Sequence, residues 1–297
     1  MTRPALVAKR VAPTWMKEAS RPAFRSIGRM TWRLRPLPDY LIIGTKRGGT
    51  QSMFQYLQRH PNVLPMWPGV ENAKKTHFFD RNHHRGEPWY RAHFPTRRQR
   101  RRTAGTTGPR ALSGEAAPYY MFHPLVAGRV AEMLPDIKII VLLRNPVRRA
   151  WSHYHERVHN GVEPLSFREA LEAEPHRLAG EVERILADPR YYSRSHDFYS
   201  YLARGRYLEH LRPWYEHFDP AQIHVIRSED LYADPGSTLV AAHRFLDIPA
   251  HPPAPHRFNY VPAAHMDPET EAWLRDYYRP HVEALQAFLG HDFGWDL

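Results

Sequence analysis

The stretch Asp39-Tyr-Leu-Ile-Ile-Gly-Thr-Lys-Arg-Gly-Gly-Thr-Gln-Ser52 decides how the chain is read. Residues 39–44, DYLIIG, form a short apolar run that ends in glycine, the mark of a buried strand. TKRGGT follows, and then QSMFQYLQRHP, in which Met53, Phe54 and Leu57 recur at helical spacing before Pro61 stops the helix. Strand, glycine turn and helix in that order begin a βαβ unit. Two glycines five apart, Gly44 and Gly49, give the turn the frame of a phosphate-cradling loop. The lysine that would follow in an ATPase is replaced by Thr50 and Gln51, and cations instead stand inside the loop at Lys46 and Arg47. Backbone N–H groups from Gly48 onward, at a helix N-terminus, still make an anion cradle.

Working outward, residues 138–144, KIIVLLR, are the clearest strand: continuously apolar, as expected of a parallel strand buried on both faces. NPVRRAWSHYHERVH then opens a helix with Pro146 in its first turn. Arg144 ends the strand and Ser152 lies eight residues on. An arginine fork and a hydroxyl suit a terminal phosphate, and ligands of open α/β sheets bind beyond the carboxyl ends of strands. GEAAPYY reads as a short strand and turn, HPLVAGRVAEMLP as an amphipathic helix, IHVIRSEDL as a further strand and STLVAAHRFLDI as a further helix. The last helices follow a Pro-rich loop. Residues 95–110, PTRRQRRRTAGTTGPR, read as a basic loop, and His83, His84 and His153 as surface histidines. The alternation predicts an α/β, P-loop-like three-layer fold: a central parallel sheet flanked by helices.

The chain has 297 residues, 42% apolar, and a net charge of +11. That is enough for one α/β domain, and its basic surface suits an anionic partner. Residues 1–36 are basic and interrupted by proline, and are read as an arm before a domain of residues 37–297; a solvated arm is the default, although an amphipathic helix over 16–34 could touch a membrane surface. There is no cysteine, so disulfides and Cys-based metal or redox sites are excluded. No apolar run approaches the ~20 residues that span a bilayer, and the first residues lack the continuous apolar stretch of a signal peptide. A soluble cytoplasmic protein is expected.

Two motifs invite other readings. His155-Glu-Arg-Val-His159 spells HExxH, which would place two zinc ligands on one helical face with Glu156 as base, but no convincing third ligand accompanies it. The arginines of residues 97–102 could hold nucleic acid or an acidic acceptor, yet no recognition motif or aromatic interleaving goes with them, and a solvated basic loop is the default. A P-loop kinase would need a Mg²⁺-holding Ser/Thr after a loop lysine, and the loop has none.

IIGTKRGGT resembles the 5′-phosphosulfate loop of the sulfotransferases that use 3′-phosphoadenosine 5′-phosphosulfate (PAPS), and IIVLLRNPVRRAWSHY resembles their 3′-phosphate motif. KKTHFFDRNHHRGEPWYRAHFP, residues 74–95, is similar to the HFFD region of the heparan sulfate glucosaminyl sulfotransferases and their bacterial relatives. GEAAPYY, FDPAQIHVIRSEDLYADP and LGHDFGW fit as well, so the likeness runs from about Asp39 to the C-terminus. It implies transfer of the sulfuryl group to an acceptor hydroxyl, in line, with release of 3′-phosphoadenosine 5′-phosphate (PAP) and no metal requirement. The acceptor is expected to be a small molecule or glycan, with a carbohydrate or glycolipid favoured, and no specific nucleic acid. Arg47 would stand where relatives keep the lysine that meets the bridging oxygen of PAPS, with Lys46 beside it. Gly48, Gly49, Thr50, Gln51 and Ser52 would hold the 5′-phosphosulfate, and Arg144 and Ser152 the 3′-phosphate.

The general base is where the sequence departs from these relatives. They place a catalytic Glu two residues before the HFF histidine, and here that position is Lys75. A protonated lysine cannot be the base, although it could assist the sulfuryl oxygens. His77 is the substitute, since imidazole titrates near neutrality; Asp80, Glu71 and Glu115 are the other candidates. Ala116 replaces a further lysine of the relatives, and HRFNYVPAAH lacks the Lys-Gly that closes over their 3′-phosphate, so heparan-type acceptor specificity is not implied.

Overall fold

The computed structural model describes residues 21–68, 75–108, 110–252 and 265–297. Four strands, β1 (Tyr40–Gly44), β2 (Gly114–Ala116), β3 (Lys138–Leu143) and β4 (Ile223–Arg227), form one parallel sheet in the order β2-β1-β3-β4. The helices are α1 (Arg21–Met30), α2 (Thr50–Leu57), α3 (Gly86–Arg91), α4 (Arg97–Thr107), α5 (Val126–Met133), α6 (Pro146–His159), α7 (Phe167–Leu178), α8 (Glu181–Ala187), α9 (Arg194–Phe198), α10 (Tyr207–His217), α11 (Ser228–Ala233), α12 (Pro235–Phe245) and α13 (Pro268–Leu289).

Alternation along the strands makes the three layers. Leu41, Ile43, Ile139, Val141 and Leu143 point to one face and pack with Val126, Val130, Leu211, Trp214 and Leu285 from α5, α10 and α13. Tyr40, Ile42, Ile140 and Leu142 point to the other and pack with Met53, Phe54, Leu57, Leu231, Leu239 and Ala242 from α2, α11 and α12. Both faces are dry, which is why the strands read as unbroken apolar runs. The chain leaves β1 for β2 on one side and returns to β3 on the other. The crevice between β1 and β3 is therefore the topological switch point, where ligands of such sheets bind.

Close approach fixes the β1–β2 pairing. Gly114 lies opposite Tyr40, and a Cβ on it would stand 2.4 Å from the Tyr40 carbonyl oxygen and 2.6 Å from its ring. Gly114→Ala is therefore expected to destabilise the fold by about 1–3 kcal/mol, measured as a lower urea midpoint.

Two readings of the sequence are corrected. Residues 97–107 are helical, not loop: Thr96 and Gln99 close a capping box over the first turn of α4, and arginine is a good helix former. His153 is fully buried on the inner side of α6, with its ring 4.9 Å from that of Tyr201. The expected amphipathic helix over 16–34 is described from Arg21, as α1 and the turn Trp32–Leu34; residues 1–20 lie outside the described residues. The end of the arm is tied to the domain. Arg35 is buried, donates to the Phe94 carbonyl at 2.5 Å and stacks on Trp67. No helix of the described residues is long and apolar enough to cross a membrane.

Candidate active site

The loop after β1 is shaped by its neighbours on both sides. The Thr45 N–H donates to the Leu142 carbonyl of β3 at 2.7 Å, and the Ser228 hydroxyl donates to the Gly48 carbonyl at 2.6 Å. Gly48 has no room for a side chain: a Cβ would meet the Leu142 carbonyl oxygen at 2.8 Å. Gly49 caps α2 with φ 89°, a left-handed conformation suited to glycine. The loop thus hands its backbone to a helix N-terminus whose first turn, Thr50, Gln51 and Ser52, contains no acidic residue. Such an end favours an anion.

The helix after β3 meets that loop. Asn145 caps α6 through its side chain, which accepts from the Val147 and Arg148 N–H groups, and Pro146 takes the first helical position. One turn and a half later Ser152 accepts a hydrogen bond from Arg47 Nε at 2.9 Å. Arg144 donates to the Arg47 carbonyl at 3.2 Å, and burial draws its guanidinium below the ordinary value. Arg47, Arg144 and Ser152, up to 105 residues apart in sequence, are one cluster at the switch point.

Glu156, one turn beyond Ser152, binds the same cations. It lies 3.6 Å from Lys46 Nζ, 3.9 Å from Arg47 Nη1 and 3.1 Å from Arg157 Nη2. Burial works to raise its carboxyl, but Lys46, Arg157 and Arg47 win and hold it below the usual range. Burial pushes the Lys46 ammonium down to about 7, and Arg204 adds to that push against the opposite pull of Glu156 and Asp197. The HExxH reading fails on this geometry. Glu156 is held by three cations and the His155 ring lies edge-on against Trp151 at 4.1 Å. Among the described residues no three acidic or histidine side chains converge as a metal-holding group.

The HFFD segment forms a second wall. Phe78 and Phe79 are fully buried among Tyr90 and Tyr120, which anchors the π-helical turn Phe78–Asn82. His77 precedes that turn at φ 52°, a strained position for a histidine, where the chain turns so that the aromatic pair points inward. His77 Nδ1 lies 2.7 Å from Asp80 Oδ2. A carboxylate only accepts, so the Nδ1 proton sits between them and Nε2 is left as the acceptor nitrogen. The Asp80 side chain is fully buried, whereas 20% of the His77 side chain is exposed. Next along the turn, Arg81 pairs with Asp197 of α9 at 2.6 Å, and Asp197 pairs with the buried Arg204 at 2.9 Å. Burial alone would raise the Asp197 carboxyl; Arg204, Lys46 and Arg81 hold it far below its usual value instead. Alternating charges therefore run from His77 to the surroundings of Lys46.

Comparison with known proteins settles the family. Residues 37–261 match the sulfotransferase domain family. The chain belongs to that family. It is 30% identical to heparan sulfate glucosamine 3-O-sulfotransferase 3B1 of Mus musculus over 88% of this chain and 66% of that protein. It is 29% identical to the human bifunctional heparan sulfate N-deacetylase/N-sulfotransferase 3, over 89% of this chain and 28% of that protein. The chain thus spans about two thirds or less of the length of these relatives. The crystal structure of a sulfotransferase from Alicyclobacillus acidocaldarius superposes with a TM-score of 0.61 at 28% identity, over 86% of this chain and 97% of that one. The donor of the sulfotransferase family is PAPS.

Within this sulfotransferase-family site the candidate bases separate. Glu115 is fully buried, and accepts from the Thr76 N–H and hydroxyl at 2.7 and 2.9 Å and from the Tyr90 and Tyr120 hydroxyls at 2.8 and 3.0 Å. It knits the HFFD turn to β2, and burial raises its carboxyl. Lys75 is exposed beside the turn. Glu71 and most of HRFNYVPAAH lie outside the described residues. Asp197, and the role of Glu156 as a partner of Lys46 and Arg47, are not legible in the sequence, because Asp197 meets Arg81 and Glu156 meets these cations across more than a hundred residues.

Proposed function

We propose that the chain transfers the sulfuryl group of PAPS to a hydroxyl of a carbohydrate or glycolipid acceptor and releases PAP. The observation that carries the reading is the cluster of Arg47, Arg144 and Ser152 beside the N-terminus of α2. It puts two sets of anion-binding groups at one switch point, as a nucleotide phosphorylated at both 3′ and 5′ ends requires. Gly48, Gly49, Thr50, Gln51 and Ser52 would hold the 5′-phosphosulfate, and Arg144 and Ser152 the 3′-phosphate. The acceptor oxygen attacks sulfur in line while its proton passes to His77 Nε2. The bond from sulfur to the bridging oxygen breaks, and the electron pair leaves on the 5′-phosphate of PAP. Arg47, with Lys46 beside it, meets that developing charge. Asp80 orients His77 and stabilises the imidazolium. A carbohydrate acceptor is supported by the named relatives, and the basic surface suits an anionic one.

The test is calorimetric titration of the protein with PAP beside ADP and ATP. PAP binding at least tenfold tighter than ADP shows that the 3′-phosphate is read; equal binding overturns the proposal. Arg144→Ala is expected to weaken PAP at least tenfold while leaving the turnover number at saturating PAPS within about threefold, since it removes a contact made equally in ground and transition states.

A further inference from the structure

We propose that the face built by α1, the Trp32–Leu34 turn and α4 docks on an anionic lipid surface. Ile27, Met30 and Leu34 are 46%, 85% and 59% exposed. Ile27 and Met30, three apart, share one side of α1, and Leu34 ends the turn that follows it. The opposite side of α1 is seated on the domain: a Cβ on Gly28 would stand 2.8 Å from the Ala92 carbonyl oxygen. Arg35, buried and bonded to Phe94, fixes the turn that follows. The three apolar side chains are therefore presented outward by a segment seated on the domain at Gly28 and at Arg35.

The surroundings of this strip are cationic. Arg29 and Arg33 are exposed within it. Arg97 donates to the Arg33 carbonyl at 3.0 Å, which lays α4 alongside, and Arg97, Arg98, Arg101 and Arg102 are exposed there. No aspartate or glutamate occurs in residues 21–38 or 88–114. A surface that joins exposed Met, Leu and Ile to six exposed arginines, with the neighbouring Glu87 of α3 paired to Arg91, fits the interface of an anionic bilayer: the apolar side chains enter the acyl boundary and the arginines meet the headgroups. A free polyanion or a nucleic acid would use the arginines and leave Met30 and Leu34 idle in water, so the apolar strip favours lipid.

The face is separate from the catalytic cleft. Arg100 of α4 bonds Asp39 Oδ2 at 2.5 Å and the Leu37 carbonyl at 3.0 Å, immediately before β1. The docking face thus belongs to the amino end of the sheet, whereas the phosphate loop follows its carboxyl end. Docking leaves the donor site open to water.

The test is flotation of the full chain with vesicles of phosphatidylglycerol and phosphatidylcholine, or of phosphatidylcholine alone, at 0.15 and 0.5 M salt. Binding is expected to the anionic vesicles only, and to weaken with salt. The double variant Met30→Asp, Leu34→Asp and the triple variant Arg98→Glu, Arg101→Glu, Arg102→Glu are each expected to lower the vesicle partition coefficient at least tenfold. Their PAP affinity should stay within twofold of the parent, which reports an intact fold and site. Failure to float with anionic vesicles, or flotation that survives both variants, overturns the proposal. So does loss in the arginine variant alone, which would mark a site for a soluble polyanion.

Discussion

Arg47→Ala is expected to lower the rate of PAP release from PAPS at saturating acceptor by about 10²–10³-fold, the usual consequence of removing a group aimed at charge that develops in the transition state. The backbone is not the source of this loss. Arg47 holds φ 67°, and alanine is no better or worse suited to that conformation than arginine. The side chain is tied to Ser152 on one side and faces Glu156 on the other, so it is held at the switch point before any donor arrives. PAP affinity should fall much less than the rate, because the product's phosphates keep Arg144, Ser152 and the backbone of the loop. Arg47→Lys should retain most of the activity, since the related enzymes place a lysine there and a point charge at the bridging oxygen suffices. Lys46 provides the control. It lies in the same cation group, with burial pressing its ammonium down to about 7. Full activity in Arg47→Ala together with loss in Lys46→Ala would transfer the role to Lys46.

The legible parts of this molecule are those whose physics is local. β1 and β3 announce themselves because both faces of the sheet are covered, and α2 because Met53, Phe54 and Leu57 share one packed side. The glycine turn between β1 and α2 is legible for a related reason, since only a residue without a side chain can stand at Gly48. Residues 97–107 read as a solvated loop because five arginines crowd them, yet the helix signal is present: Thr96 and Gln99, three apart, close the capping box of α4. His153 and Glu156 show the real limit. As sequence, HYHERVH is a polar helical stretch with a metal motif. As structure, His153 faces Tyr201, 48 residues later in the chain and at van der Waals range, while Glu156 faces cations more than a hundred residues earlier. The Arg81–Asp197 pair, 116 residues apart, is likewise made by the fold alone. No local pattern encodes such partners, and the electrostatics of the site depend on them.

His77→Ala is expected to lower turnover by about 10²–10⁴-fold with PAP affinity unchanged, the range for loss of a general base. The geometry makes His77 the presented group and Asp80 its support. Asp80 is enclosed and bonds His77 Nδ1, whereas the His77 side chain is partly exposed and keeps Nε2 as its acceptor nitrogen. Asp80→Asn removes the charge that fixes the tautomer and stabilises the imidazolium, so it too should be slow. Residues that act as a unit are not additive, and the double variant His77→Ala, Asp80→Asn should be no slower than His77→Ala alone. Two independent bases would instead multiply their losses. Lys75 supplies the sharpest check, because related enzymes keep a glutamate at that place. Lys75→Glu in the His77→Ala background should recover at least tenfold of the lost rate if the acceptor hydroxyl lies between the two positions. Full turnover in His77→Ala with loss in Asp80→Asn would move the proton to Asp80 and remove His77 from the reaction.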